Sequence, residues 1–132
     1  MPQTLLFLCP HGAAKSVIAA AYCRRLVAQH RLDLDVTSAG TEPDTAVAPG
    51  VVELLRTEGL DVTHDRPQAV SRKALAAAFR VISMGCDVSD LAPPGTIVEH
   101  WNDVPSPSQD LIAARDRIAG HVEQLIAGLM GQ

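Results

Sequence analysis

Leu5 to Leu8 is an unbroken apolar run, followed by the small-residue segment Cys9 to Ser16. A short run of this kind fits a strand buried on both faces, as in a parallel sheet. From Ser16 the apolar spacing turns helical, with Ile18, Ala19, Tyr22, Cys23 and Leu26 on one stripe. Polar residues around His30 to Asp35 end that helix. Leu34, Val36 and Ser38 then alternate as a second strand, which runs into Ser38-Ala39-Gly40-Thr41-Glu42-Pro43, a loop marked by its Gly and Pro. Pro49 suits the first turn of a helix carrying Val51, Val52, Leu54 and Leu55, and Gly59 with Leu60 beyond it reads as the stop. Asp61 to Pro67 is loop. Ser71 caps a short helix through Ala78, and Phe79 with Val81 to Met84 predicts a third strand closed by Gly85-Cys86-Asp87. Thr96 to Glu99 is a weaker fourth strand, and His100 to Pro107 is loop. Ser106, Pro107 and Gln109 match a capping box, and Leu111, Ile118, Val122, Leu125, Ile126 and Leu129 keep helical spacing to the end. Gly120 and Gly128 each weaken that last helix by ~1 kcal/mol relative to Ala.

Strands alternating with helices imply right-handed crossovers. The expected fold is α/β: a three-layer sandwich with a roughly four-stranded parallel sheet, in a single domain over residues 1–132. Ligands in such sheets lie at the carboxyl ends of strands. The loops at Cys9–Ser16, Ser38–Pro43, Gly85–Asp90 and His100–Pro105 are therefore expected on one edge.

Apolar residues make up 47% of the chain, which excludes a mostly disordered protein. Only four residues are aromatic, so the core must rest on Leu, Val, Ile and Ala. The net charge of −4, with no basic run longer than two residues, argues against duplex nucleic acid or an anionic membrane as partner. Any anion site must be local and built from backbone. Three irregularly placed cysteines make no disulfide framework. Cys9 and His11 lack the second pair that a zinc site needs, so no metal is expected. The opening residues have neither the charge nor the length of a signal peptide, and no segment is apolar enough to span a membrane. Cytoplasmic residence is the expectation; the pattern sets no oligomeric state.

A loop between a strand's carboxyl end and a helix's N-terminus aims N–H groups and a positive dipole at one spot. Cys9 stands at the mouth of that spot, where a thiolate is favoured. Backbone N–H groups from His11, Gly12, Ala13, Ala14, Lys15 and Ser16 would form an anion nest to which Pro10 adds none. The segment is no nucleotide P-loop, because no Gly precedes Lys15. Cys23 falls on the helix's apolar stripe and reads as core. His64 and Arg66 read as structural, and Asp110 as a first-turn acid of the last helix.

Cys-Pro-His-Gly-Ala-Ala-Lys-Ser, residues 9–16, resembles the Cys-x5-Arg-Ser/Thr loop of the low-molecular-weight protein tyrosine phosphatases and of the arsenate reductases that share their fold. The reductases are nearer over most of the chain. Their loop runs roughly Cys-x-His-Asn-x-Gly-Arg-Ser, and His11 falls in register. Residues 38–43, His64-Asp65-Arg66-Pro67, Val81 to Asp87, and Glu99-His100-Trp101 followed by Asp103 and Pro105 resemble further segments of theirs in the same order. The resemblance implies Cys9 as nucleophile, Ser16 as a donor to its thiolate, Lys15 and the loop amides as oxyanion binders, and Asp103 as the acid that protonates the leaving oxygen. It implies loop support from Ser38 and makes Cys86 a possible resolving thiol. No cofactor follows, beyond a thiol reductant if arsenate is reduced.

Four positions depart from the family pattern. Lys15 replaces the arginine, so a mobile point charge stands where a planar fork grips two oxygens. One lost charged hydrogen bond is worth ~1.5–3 kcal/mol, about ten- to a hundredfold in rate. Gly12 replaces the loop asparagine, Val104 follows Asp103, and no third cysteine follows Cys86. The leading expectation is a phosphatase that hydrolyses phosphomonoesters of the phosphotyrosine kind through a phosphocysteine, on a phosphorylated protein or a small phosphate. The alternatives are arsenate reduction with a small thiol, and a non-catalytic oxyanion- or phosphoprotein-binding module.

Overall fold

The computed structural model describes residues 2–131. Its centre is β1 (Gln3–Leu8), which lies parallel between β2 (Leu34–Ala39) and β3 (Arg80–Ser83); β4 (Val98–His100) extends the sheet, in the order β2-β1-β3-β4. The register runs from Gln3 opposite Leu34 to Leu8 opposite Ala39 on one side. On the other it runs from Leu5 opposite Arg80 to Leu8 opposite Ser83. The chain leaves β1 in one direction and returns on its other side, so the strand order reverses between β1 and β3, and a crevice opens at their carboxyl ends.

Period-two alternation in β1 divides the core between the two faces. Leu5, Phe7 and Cys9 enter the layer built by α1 (Lys15–Gln29), α2 (Pro49–Thr57) and α4 (Leu111–Met130), where Ile18, Leu55, Ile118 and Ile126 are buried. Leu6 and Leu8 enter the opposite layer with Val70, Val81, Cys86, Val88 and Leu75 of α3 (Arg72–Ala77). The three layers and the four-stranded parallel sheet are as the pattern requires. Across the first layer, the Tyr22 hydroxyl donates to Glu58 at 2.7 and 2.8 Å, and Arg115 reaches the same carboxylate at 3.4 Å. This ties α1 and α4 to the end of α2. Burial and the Glu58 hydrogen bond raise the Tyr22 pKa above its ordinary value, so the phenol remains a donor.

Most caps fall where the sequence places them. The Ser71 hydroxyl accepts from the Ala74 amide at 3.0 Å. Gly59 (φ +80°) ends α2, and the Leu60 amide returns to the Leu55 carbonyl at 2.8 Å. Two boundaries differ. The fourth strand is Val98–His100 rather than residues 96–99, because Ile97 stands 87% exposed outside the ladder. The last helix starts at Leu111, not at the Ser106-Pro107 box. Its cap is Asp110, whose carboxylate accepts from the Ala113 amide at 3.0 Å. Ser106 instead closes a turn, its carbonyl accepting from the Gln109 and Asp110 amides. That turn leaves Ser106, Pro107 and Ser108 free to wall the crevice.

Candidate active site

Cys9 is the first residue past β1 and is 4% exposed. Its Sγ lies 3.2 Å from the hydroxyl of fully buried Ser16 and 3.4 Å from the Ser16 amide. The thiol donates to the Ser16 hydroxyl and its sulfur accepts from the Ser16 amide, so the start of α1 closes directly over the sulfur. Between the two, the chain curls through Gly12 at φ +59°, a conformation open to Gly and to Asn. The residue that departs from the family pattern therefore keeps the turn its asparagine would make. Among the described residues, the N–H groups of His11, Ala13, Ala14 and Lys15 find no acceptor within the protein. Unpaired donors around a thiol are what a bound oxyanion requires.

The loop is held from outside by backbone. The Gly12 amide turns back to the Cys9 carbonyl at 3.3 Å, and the Cys9 amide donates to the Ala39 carbonyl at 3.3 Å. The amides of Glu42, Asp44 and Ala48 donate to the carbonyls of Pro10, His11 and Ala13 at 2.7, 3.0 and 3.0 Å. Gly40 also bridges to the segment around Ala69, through its amide to the Gln68 carbonyl and its carbonyl to the Val70 amide. Residues 40–48 are therefore a collar around the Cys9 loop.

Beside Cys9 opens a pocket of about 440 Å³. Its floor is the loop itself, and its aliphatic wall comes from Ala48, Val51, Pro107 and Leu111. Lys15 lines it, and among the described residues its ammonium forms no ion pair or side-chain hydrogen bond. It lies beside Gly85, at the end of β3. A mobile cation beside the nest is placed to meet an oxyanion, without an arginine's fixed fork.

The structure gathers Cys9, His11, Gly12, Ala13, Ala14, Lys15 and Ser16 at one point and leaves three other expected residues apart. Asp103 does not line the Cys9 pocket. Its carboxylate accepts from Arg117 at 2.8 Å and meets His121 Nε2 at 2.8 Å, in a separate depression with Asp116, Gly120 and Gln124. The Arg117 hydrogen bond, then the one to His121, pull its pKa down to about 2. Both contacts favour the charged carboxylate and hold it in this depression. His121 in turn stacks on Trp101 at 4.7 Å between ring centroids, which fixes this arrangement against the core. Ser38 sits in β2 opposite Phe7, and its carbonyl accepts from the Gln68 side chain at 3.0 Å. Loop support comes instead from Gly40 and the collar amides.

Cys86 belongs to the opposite core layer, near Thr41. Burial, and secondarily the Cys9 charge, raise its pKa. The Coulombic effect of Cys9 on it shows that the two thiols lie within electrostatic reach of each other. Cys23 is fully buried and its thiol is pushed up to about 12 by that burial, as a core residue should be. Asp44 and the 106–108 turn were not expected in the pocket. The Gly-x-x-Pro-Asp pattern of residues 40–44 was the available signal for Asp44; nothing in the sequence signalled the turn.

The model of the low molecular weight phosphotyrosine protein phosphatase family matches residues 4–130, and the chain belongs to that family. A Halobacterium salinarum protein provisionally named an arsenate reductase is 27% identical over 128 residues, covering 96% of this chain and 89% of its own. Among solved structures, the Corynebacterium glutamicum thioredoxin-dependent arsenate reductase is 27% identical with a TM-score of 0.81, over 99% of this chain and 64% of that one. The low molecular weight phosphotyrosine phosphatase of Vibrio cholerae superposes with a TM-score of 0.88 at 19% identity, over 97% of both chains, and shows the shared fold.

Proposed function

We propose that this enzyme is a cysteine-dependent phosphatase that hydrolyses phosphomonoesters through a phosphocysteine, acting on a phosphorylated protein or a small phosphate. The observation that carries this reading is the Cys9 sulfur between the Ser16 hydroxyl and amide, facing the aliphatic pocket. The nest supplies donors for three equatorial oxygens, and the pocket supplies room for the organic group of an ester. In the first step Cys9 Sγ attacks phosphorus, the S–P bond forms, and the P–O bond to the leaving group breaks. Water then attacks the phosphocysteine, and the thiolate returns with inorganic phosphate. The loop amides and Lys15 hold the charge that develops on the oxygens. We place the enzyme in the cytoplasm; among the described residues no helix is long and apolar enough to cross a membrane.

Arsenate reduction is the second reading, favoured by the names of the relatives at 27% identity. There Cys9 would attack arsenate, water would leave, and an external small thiol would supply the electrons, since no third cysteine follows Cys86 to complete a relay. Arsenate carries no organic group, so this reading leaves the aliphatic wall without a role. The deciding experiment measures aryl-phosphate hydrolysis and thiol-dependent arsenite release side by side for wild type, Cys9→Ser and Cys86→Ser. The phosphatase reading expects ester turnover lost only in Cys9→Ser. Arsenite release without ester turnover would overturn it.

A further inference from the structure

The site holds a nucleophile and an oxyanion nest, but the acid expected from sequence is turned away. Asp103 is engaged by Arg117 and His121 in another depression. The titratable side chains that do line the Cys9 pocket are Cys9, His11, Lys15 and Asp44. Cys9 is the nucleophile, and Lys15 faces the oxyanion with its charge. His11 and Asp44 are left.

These two are joined. His11 Nδ1 lies 3.1 Å from the Glu42 carbonyl oxygen and 3.4 Å from the Asp44 carboxylate. A carbonyl only accepts, so Nδ1 carries the proton and Nε2 is the nitrogen left for chemistry. The pair is also fastened to the loop by backbone, through the Asp44 amide to the His11 carbonyl and the Glu42 amide to the Pro10 carbonyl. An imidazole two residues along the chain from Cys9, held at one nitrogen by a backbone carbonyl and with a carboxylate 3.4 Å from the same nitrogen, has the parts of an oriented acid–base group.

We propose that His11 donates the proton to the leaving group in the Cys9 reaction, with Asp44 and the Glu42 carbonyl as its positioning groups. The proposal rests on the phosphatase reading above. As the S–P bond forms and the P–O bond breaks, the departing oxygen takes the Nε2 proton of the imidazolium. The neutral ring then removes a proton from the water that attacks the phosphocysteine, which restores the imidazolium and frees the thiolate. Protons and electron pairs balance, with one water consumed for each ester.

The test uses two substrates that differ in their need for an acid, phenyl phosphate and p-nitrophenyl phosphate. Loss of a general acid costs about 10²–10⁴-fold where the leaving group is basic, and far less where it is not. His11→Gln is expected to lower kcat/KM by ~10²-fold or more on phenyl phosphate and by less than ~10-fold on p-nitrophenyl phosphate. Asp44→Asn should follow with a smaller loss of the same selectivity, and Asp103→Asn should leave both esters within about threefold. Equal losses on the two esters in His11→Gln would make His11 a staple of the loop and overturn the proposal. So would a selective loss in Asp103→Asn. Nitrogen-15 spectra of the neutral His11 ring should show the proton on Nδ1; a proton on Nε2 also overturns it. Wild type that turns over neither ester removes the phosphatase reading itself, a result distinct from equal losses in an active enzyme.

Discussion

Gly40 and Gly12 meet backbone to backbone: a methyl group on Gly40 would stand 2.6 Å from the Gly12 nitrogen, with the Pro10 and Cys9 carbonyl oxygens at 2.7 and 2.9 Å. All three neighbours are main-chain atoms of the Cys9 loop, so none can rotate away. Gly40→Ala must push the loop outward. A displacement on the order of 1 Å at a reacting group costs about a hundredfold in rate, and overpacking costs about 1–3 kcal/mol. The expected outcome is a folded, destabilised protein with at least ~100-fold lower turnover, measured by thermal denaturation and ester hydrolysis.

Ser16 gives Cys9 a hydroxyl at 3.2 Å and an amide at 3.4 Å. Ser16→Ala removes the first and keeps the second. A hydrogen bond to a charged group is worth ~1.5–3 kcal/mol, so kcat/KM should fall about ten- to a hundredfold. Ser16→Thr, which retains the hydroxyl, should recover most of it. Unchanged kinetics in Ser16→Ala would show that the hydroxyl contributes nothing to the reaction of Cys9.

Lys15 lines the pocket beside Cys9 with a single mobile charge. Lys15→Arg restores a fork able to hold two oxygens. Turnover should rise about tenfold or more, and phosphate should inhibit more strongly, both read from steady-state kinetics. A fall in both would show that the pocket is shaped to the lysine.

Asp103 has a pKa lowered to about 2 by Arg117 and then by His121. A carboxylate depressed below its unfolded value of ~3.9 adds stability above that pH, and the contribution is lost as pH falls through about 2. Asp103→Asn should therefore flatten the loss of thermal stability between about pH 4 and pH 2, while changing little with pH near neutrality. Asp103 and Arg117 are exposed, so raised salt should shrink the difference. Equal acid slopes in both proteins would show that these contacts add nothing in solution.

Gly128 lies in the last turns of α4, and a methyl group there would meet nothing within 4 Å. Gly128→Ala should stabilise the fold by up to ~1 kcal/mol through helix propensity alone. A chain of this size should then melt about 3–5 °C higher with unchanged activity.

The layout of the fold was legible from local chemistry. Leu5 to Leu8 is apolar on both faces of a strand, the helices show their apolar stripes, and Ser71 and Gly59 mark element ends in the sequence itself. The Cys9 loop was equally legible, because Cys9 to Ser16 is one contiguous stretch whose geometry follows from a strand ending and a helix beginning. What depends on residues distant in the chain was not. Asp103 lies near Trp101 in sequence, where the resemblance makes it an acid. Only the folded chain sets it against Arg117 and His121, which share a face because they stand four residues apart on α4. The start of α4 moved for a related reason: two caps compete over residues 106–110, and Asp110 prevails while the Ser106 turn packs against the pocket. The join between His11 and Asp44 and the contact of Gly40 with Gly12 likewise needed the collar to close. Periodicity and turn chemistry act over a few residues and so are written along the chain. The partner of a side chain is set by which faces the sheet brings together, and that is decided only once the layers have packed.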